Sequence, residues 1–315
     1  MTEQSSDSVS SDQYTHLDGY SLTHERFPAS PTQDTAALSF LNVSGYKFVD
    51  LDAESLPRLR SELLELCQNH GLYGTVLLST EGINLMLCGP DIAITPVLHW
   101  LHRRDEFITL RLKRSRSKAA TFSRLLVKIK KELVPVGDPN VRPADTPGRY
   151  LSPENLRRWI EEGRDFVLLD TRNQYEVELG TFSRATHLDI PNFRSIESKL
   201  AAVDAETRTK PVVAFCTGGI RCEKATPIMM RLGFSDVYQL DGGILNYFER
   251  CGADHFEGEC FVFDKRVAVD ASLCETGTTQ CYACQHVLTV ADQESTSYSL
   301  AAHCPYCVET QDCSA

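Results

Sequence analysis

Three short apolar runs, "FVLLD" at 166–170, "PVVAFC" at 211–216 and "DVYQL" at 236–240, constrain this chain most. Each has strand length and no polar alternation, as strands do when both faces of a parallel sheet are covered. Helical patterns follow them at "NQYEVELG", "EKATPIMMRLG" and "GILNYFERC". Ahead of them, "YLSPENLRRWIEEG" starts a helix with Ser152 as N-cap and Pro153 at N1. Residues 147–252 therefore read as an open α/β sheet.

Cys216 ends the middle run, at the carboxyl edge where open sheets bind ligands. Thr217, Gly218, Gly219, Ile220, Arg221 and Cys222 follow as an anion-binding loop. The two glycines admit positive φ and turn backbone N–H groups inward, and Arg221 adds a fixed cation. The dipole of the following helix acts on the same spot. Such surroundings favour a thiolate, so Cys216 is the expected nucleophile. The competing reading is a buried cysteine before an ordinary turn. Cys222 reads either as a resolving thiol or as packing under the loop. Asp170 and Arg172 are expected to brace the loop, and Asp241 to cap the last helix.

Residues 37–135 read as strand, helix, strand, strand, helix, strand. "YGTVLLS" and "NLMLC" form a hairpin around "TEGI", and "FSRLLVKIKKELV" is the closing strand. That order suits a ferredoxin-like (acylphosphatase-like) α+β sandwich. Glu81 and Asn84 fit either an RNA contact or a hairpin turn. The run 111–131 holds nine basic residues and no acid, in a chain of net charge −11. Lys113, Arg114, Arg116, Lys118, Lys128, Lys130 and Lys131 read either as a phosphate-tracking groove or as a solvated sheet face. The Pro-rich stretch 136–146 is a linker, and 1–36, rich in Ser, Thr and Asp, is a disordered tail without a secretory signal.

Seven of the twelve cysteines lie in 253–315. Cys281, Cys284, Cys304 and Cys307 form C-x2-C-x19-C-x2-C, the spacing of a zinc ribbon with a structural metal. His286 and His303 are neighbouring alternatives, and Cys260, Cys274 and Cys313 are spare. Reduced thiols without metal are the second reading. A redox pair is the third, disfavoured because neither C-x2-C is expected to open a helix after a strand. The architecture is thus mixed α+β and α/β in a chain of 315 residues. No apolar run is long enough for a membrane span, and no flavin, nicotinamide or facial-triad iron pattern is present.

The loop "CTGGIRCEKA" resembles the active-site loop of rhodaneses. The stretch "LLDTRNQYEVELGTFSRATHLDIP", through Asp170, Arg172, Glu176, Gly180, Ala185 and Pro191, and "VYQLDGGILNY" resemble the same domain. The C-x4-R loop is shorter than the C-x5-R loop of related phosphatases, which disfavours phosphoryl transfer. "EGIN" at 81–84, "FSRLLVKIKKELV", the rhodanese-like block and "CFVFDKR" at 260–266 occur in one order that is similar to the TrhO family of oxygen-dependent tRNA uridine hydroxylases. The resemblance implies a cytoplasmic enzyme that hydroxylates the wobble uridine of tRNA to 5-hydroxyuridine. It also implies molecular oxygen as co-substrate and Cys216 as the essential residue. The electron donor and the oligomeric state stay open. Two other classes compete: a sulfurtransferase carrying a persulfide on Cys216, and a non-catalytic zinc and RNA-binding adaptor.

Overall fold

The computed structural model describes residues 40–300 and 302–312. The tail 1–36 and Cys313 lie outside the described residues. The first domain runs β1 (Phe40–Phe48), α1 (Leu56–Asn69), β2 (Tyr73–Ser79), β3 (Gly82–Gly89), α2 (Asp91–His102), β4 (Leu112–Ser117) and β5 (Leu125–Ile129). Its sheet has the order β4-β1-β3-β2-β5. The first four strands are antiparallel to their neighbours, and β5 adds to the far edge parallel to β2.

One expectation changes here. The strand that closes the ferredoxin-like order against β1 is "LKRSRS" of β4, and the expected closing strand is instead a fifth strand, β5, on the opposite edge. β4 carries no apolar alternation, because its faces present lysine and serine on one side and arginine on the other. Its strand character lies in backbone pairing to β1, which periodicity does not report.

Side-chain alternation divides this sheet. Leu41, Val43, Val76, Leu78, Ile83, Leu85 and Val127 are buried with Leu59, Leu63, Ile94 and Val97 of the two helices. The opposite parity, including Ser44, Tyr46, Asn84, Met86 and Lys113, lines a cavity shared with the second domain.

The second domain comprises β6 (Arg149–Leu151), α3 (Pro153–Glu161), β7 (Val167–Asp170), α4 (Gln174–Leu179), β8 (Gly180–Phe182) and β9 (Ala185–His187). It continues with α5 (Ile196–Ala201), α6 (Ala205–Thr209), β10 (Pro211–Phe215), α7 (Ile220–Arg231), β11 (Asp236–Leu240) and α8 (Gly243–Cys251). The sheet order is β6-β11-β10-β7-β9, parallel throughout. Val212 and Ala214 pack under Ile196, Leu200, Ile228 and Met229 on one face. Val213 and Phe215 pack on the other face against Leu156, Ile244 and Tyr247. As expected, the Ser152 hydroxyl caps α3 by accepting from the Asn155 N–H at 3.2 Å.

The last segment contains β12 (Phe256–Gly258), β13 (Cys260–Phe261), β14 (Ala268–Val269), β15 (Thr279–Gln280), β16 (Val287–Leu288), α9 (Val290–Gln293) and α10 (Pro305–Asp312). β12 pairs with β8, and Phe256, Cys260, Val262 and Val269 join the second domain's core. Cys281, Leu288, Cys304 and Cys307 form a small core of their own.

The candidate active site at the Cys216 loop

The backbone after β10 closes tightly around Cys216. Gly219 has φ +98°, a left-handed conformation that disfavours side chains, and a Cβ there would stand 2.8 Å from the Tyr46 hydroxyl. A Cβ on Gly243 would meet the Cys216 carbonyl oxygen at 2.4 Å. That carbonyl accepts from the Ile244 N–H at 3.0 Å, which ties the loop to the start of α8. Sγ of Cys216 accepts from the Gly219 N–H at 3.1 Å.

Burial alone would raise the Cys216 thiol. A hydrogen bond from Cys222, the Arg221 charge, and the N–H groups of Arg221 and Gly219 outweigh it and bring the pKa down to about 5. Cys222 itself is driven well above the usual thiol range, by burial first and by its bond to Cys216 second. One thiolate and one thiol donor thus face each other, and the Cys222 sulfur also lies 3.6 Å from the Thr171 hydroxyl.

Arg221 is fixed by a residue that the sequence reading quoted but gave no part in the site. Glu176, fully buried on α4, accepts from both Arg221 terminal nitrogens at 2.5 and 2.8 Å. Its carboxylate also accepts from the Thr217 hydroxyl at 3.3 Å and from the Asn173 N–H at 3.1 Å. Asp170 and Arg172 act one step further out. The Arg172 guanidinium donates to Asp170 at 2.6 Å and to the Gly180 carbonyl at 2.6 Å, and the Thr181 hydroxyl donates to Asp170 at 2.8 Å. This buried pair ties down the 170–181 segment that carries Glu176. Asp241 does not cap α8. Its carboxylate takes Arg111 at 2.9 Å, because the N-cap position falls on Gly242.

A cavity of about 500 Å³ opens at Cys216, large enough for a nucleoside. Its walls come from three parts of the chain: Ser44, Tyr46, Asn84 and Lys113 from the first sheet, the 216–221 loop, and Phe263 and Arg266 from the last segment. The Tyr46 hydroxyl donates to Glu223 at 3.0 Å, and burial followed by the Glu223 charge holds its phenol well above the usual range. Asn84 lies on the cavity wall. Glu81 instead pairs across the domains with Lys224, a lysine of α7 that also donates to the Val141 carbonyl at 3.2 Å.

The basic run does not form one groove. Lys113, Arg114, Arg116 and Lys118 belong to β4 and the turn after it, whereas Lys128, Lys130 and Lys131 lie on or beyond β5, at the opposite edge of the sheet. Arg116 is engaged with Asp91 through two bonds of 2.9 and 2.8 Å, and Lys113 faces the cavity.

The sulfurs of Cys281, Cys284, Cys304 and Cys307 all lie within 4.8 Å of one another. Cys281 and Cys307 are 3.9 Å apart, and Cys284 and Cys304 are 3.6 Å apart. Four thiolates around zinc at roughly 2.3 Å stand about 3.8 Å apart, so the donor set fits a tetrahedral ion. Among the described residues His286 is outside this group, and its ring lies against Tyr306. The second C-x2-C does open a helix, since Cys304 directly precedes Pro305, the first residue of α10, but that helix follows no named strand.

Fold and loop together define the class, a rhodanese-like domain joined to an acylphosphatase-like domain that roofs its cysteine. Family models agree: one described as a UPF0176 acylphosphatase-like domain matches residues 40–133, and one described as a rhodanese-like domain matches 152–250. A protein of Cupriavidus necator named tRNA uridine(34) hydroxylase is 44% identical over 280 residues, covering 87% of this chain and 99% of its own. Proteins of the same name from Ralstonia nicotianae and Burkholderia orbicola are 45% and 39% identical, each covering 98% of its own length and 87% and 86% of this chain. This chain belongs to the tRNA uridine(34) hydroxylase family.

Proposed function

We propose that this protein hydroxylates uridine 34 of tRNA to 5-hydroxyuridine, with molecular oxygen as co-substrate and Cys216 as the reacting residue. The observation that carries the reading is a cysteine with a strongly lowered pKa at a nucleoside-sized cavity, in a chain of this family. C6 of uracil is electrophilic, because its double bond is conjugated to the C4 carbonyl. Addition of the Cys216 thiolate there makes C5 electron-rich, ready for an oxygen species whose reducing equivalents come from an external donor. The remaining site residues prepare the thiolate: Glu176 holds Arg221, and the Gly218–Gly219 turn aims N–H groups at the sulfur.

A tRNA substrate supports a cytoplasmic location for this protein. Among the described residues no helix is long and apolar enough to cross a membrane. Cys281, Cys284, Cys304 and Cys307 would hold a structural zinc, which would staple a segment with little apolar core.

The test is mass spectrometry of tRNA nucleosides from a strain lacking 5-hydroxyuridine, complemented with the wild type or with Cys216→Ala. Restoration by the wild type alone is the expected result. If neither restores the nucleoside while both are soluble and abundant, persulfide transfer by Cys216 becomes the better account.

A further inference from the structure

The cations around the cavity are unequal. Arg221 is committed to Glu176 and Arg266 to Asp264. Lys113 also lines the cavity, and among the described residues no carboxylate pairs with it. It stands on β4 opposite Ser44 of β1. Its Nζ lies 5.6 Å from the Tyr46 ring centroid and donates to the carbonyl oxygen of Gly218, two residues past Cys216, at 2.8 Å. An ammonium has three N–H donors, so two remain for an occupant of the cavity.

The groups that face Lys113 are Cys216 on the loop, Tyr46 on β1, Arg111 just before β4, Asp241 before α8 and Glu249 on α8. Burial outweighs the attraction of Cys216 and brings its ammonium down to about 8. Its proton can therefore be given up near neutrality. The Tyr46 proton is held by Glu223, and arginine does not deprotonate in proteins.

We propose that Lys113 is a catalytic residue, whose ammonium protonates O4 of the uracil ring as the Cys216 sulfur adds to C6. This rests on the uridine reading above. The S–C6 bond forms, the C5=C6 pair moves between C5 and C4, and the C4=O pair moves onto O4, which takes the proton. The products are a thioether enol and a neutral amine, with no net oxidation. Protonation of that enol at C5 and its reversal exchange the C5 hydrogen with water, so the step is visible without oxygen.

The experiment uses the full chain, an anticodon stem-loop RNA tritiated at C5 of uridine 34, and buffer freed of oxygen. Release of tritium to water is followed from about pH 4 to 10. Wild type is expected to release tritium between two limbs, rising near 5 with the Cys216 thiolate and falling near 8 with loss of the Lys113 ammonium. Lys113→Met should lower release by about 100-fold, the usual scale of general acid catalysis. Lys113→Arg keeps the charge and the packing, and should show slow release with no falling limb near 8. Iodoacetamide alkylation of Cys216 confirms in each variant that the loop is intact. Release by Lys113→Met at the wild-type rate with both limbs unchanged overturns the proposal. Absence of release from wild type removes the addition step and the role of Lys113 with it. Formation of 5-hydroxyuridine under oxygen, scored separately, then decides whether the hydroxylation reading stands alone.

Discussion

Cys216 is fully buried, yet its pKa falls, because the Cys222 thiol, the Arg221 charge and the N–H groups of Arg221 and Gly219 favour the anion. Folding therefore lowers this pKa below its unfolded value of about 8.5. The resulting contribution to stability is complete above that value and is lost as pH falls through about 5. Alkylation of Cys216 by iodoacetamide should accordingly show a midpoint near 5. Cys222→Ala should move it upward by removing a thiol donor, while Cys222→Ser should leave it nearly in place. A midpoint near 8.5 in the wild type would mean that the loop does not activate the sulfur. Glu176→Ala leaves the buried Arg221 charge unpaired and is expected to cost about 3–5 kcal/mol in urea denaturation. A loss below about 1 kcal/mol would show that Arg221 finds water or another acceptor.

Among the elements, β7, β10 and β11 were legible because a strand covered on both faces is written as an unbroken apolar run. Cys216 was legible because it follows such a run and precedes two glycines. β4 was not, since an edge strand with lysine and serine toward a cavity and arginine toward solvent has no hydrophobic period. Lys113 was hidden for the same reason, standing among eight other cations of one run with nothing local to distinguish it. Glu176 and Arg221 are 45 residues apart, a separation that no spacing rule spans. The contact of α7 with the β2–β3 turn was equally invisible, because Lys224 meets Glu81 from a distant part of the chain. Lys224→Met strands Glu81 and Glu132 without their cation and is predicted to cost about 3–5 kcal/mol. Denaturation should then lose its single transition as the two domains uncouple. An unchanged midpoint and slope would show that other contacts carry the docking.

For the whole molecule, metal and RNA make separate demands. Protein purified without chelator should carry one zinc per chain, and Cys281→Ser with Cys304→Ser should lose it and lower the Tm while leaving the Cys216 alkylation profile unchanged. Absence of zinc from intact protein would exclude the metal. The β5 edge lies across the sheet from β4, so its lysines can only contact a long ligand that passes around the domain. If tRNA does so, replacing Lys128, Lys130 and Lys131 with glutamine should reduce the salt slope of binding by about 2, at about 0.7 per phosphate contact. An unchanged slope would restrict the RNA path to the β4 side.

The tight approach of Gly219 to Tyr46 has a further consequence, for the order in which the protein is made. The wall that carries Tyr46, Asn84 and Lys113 is complete by residue 129, long before Cys216 leaves the ribosome. Domains generally fold as units during synthesis, the N-terminal one first. The nucleophile thus emerges toward a partner already assembled, and a reactive sulfur spends little time uncovered. Thiol-reactive pulses on ribosome-bound chains released at increasing lengths would register this as a brief window of Cys216 labelling. In chains lacking residues 40–129 that window should stay open.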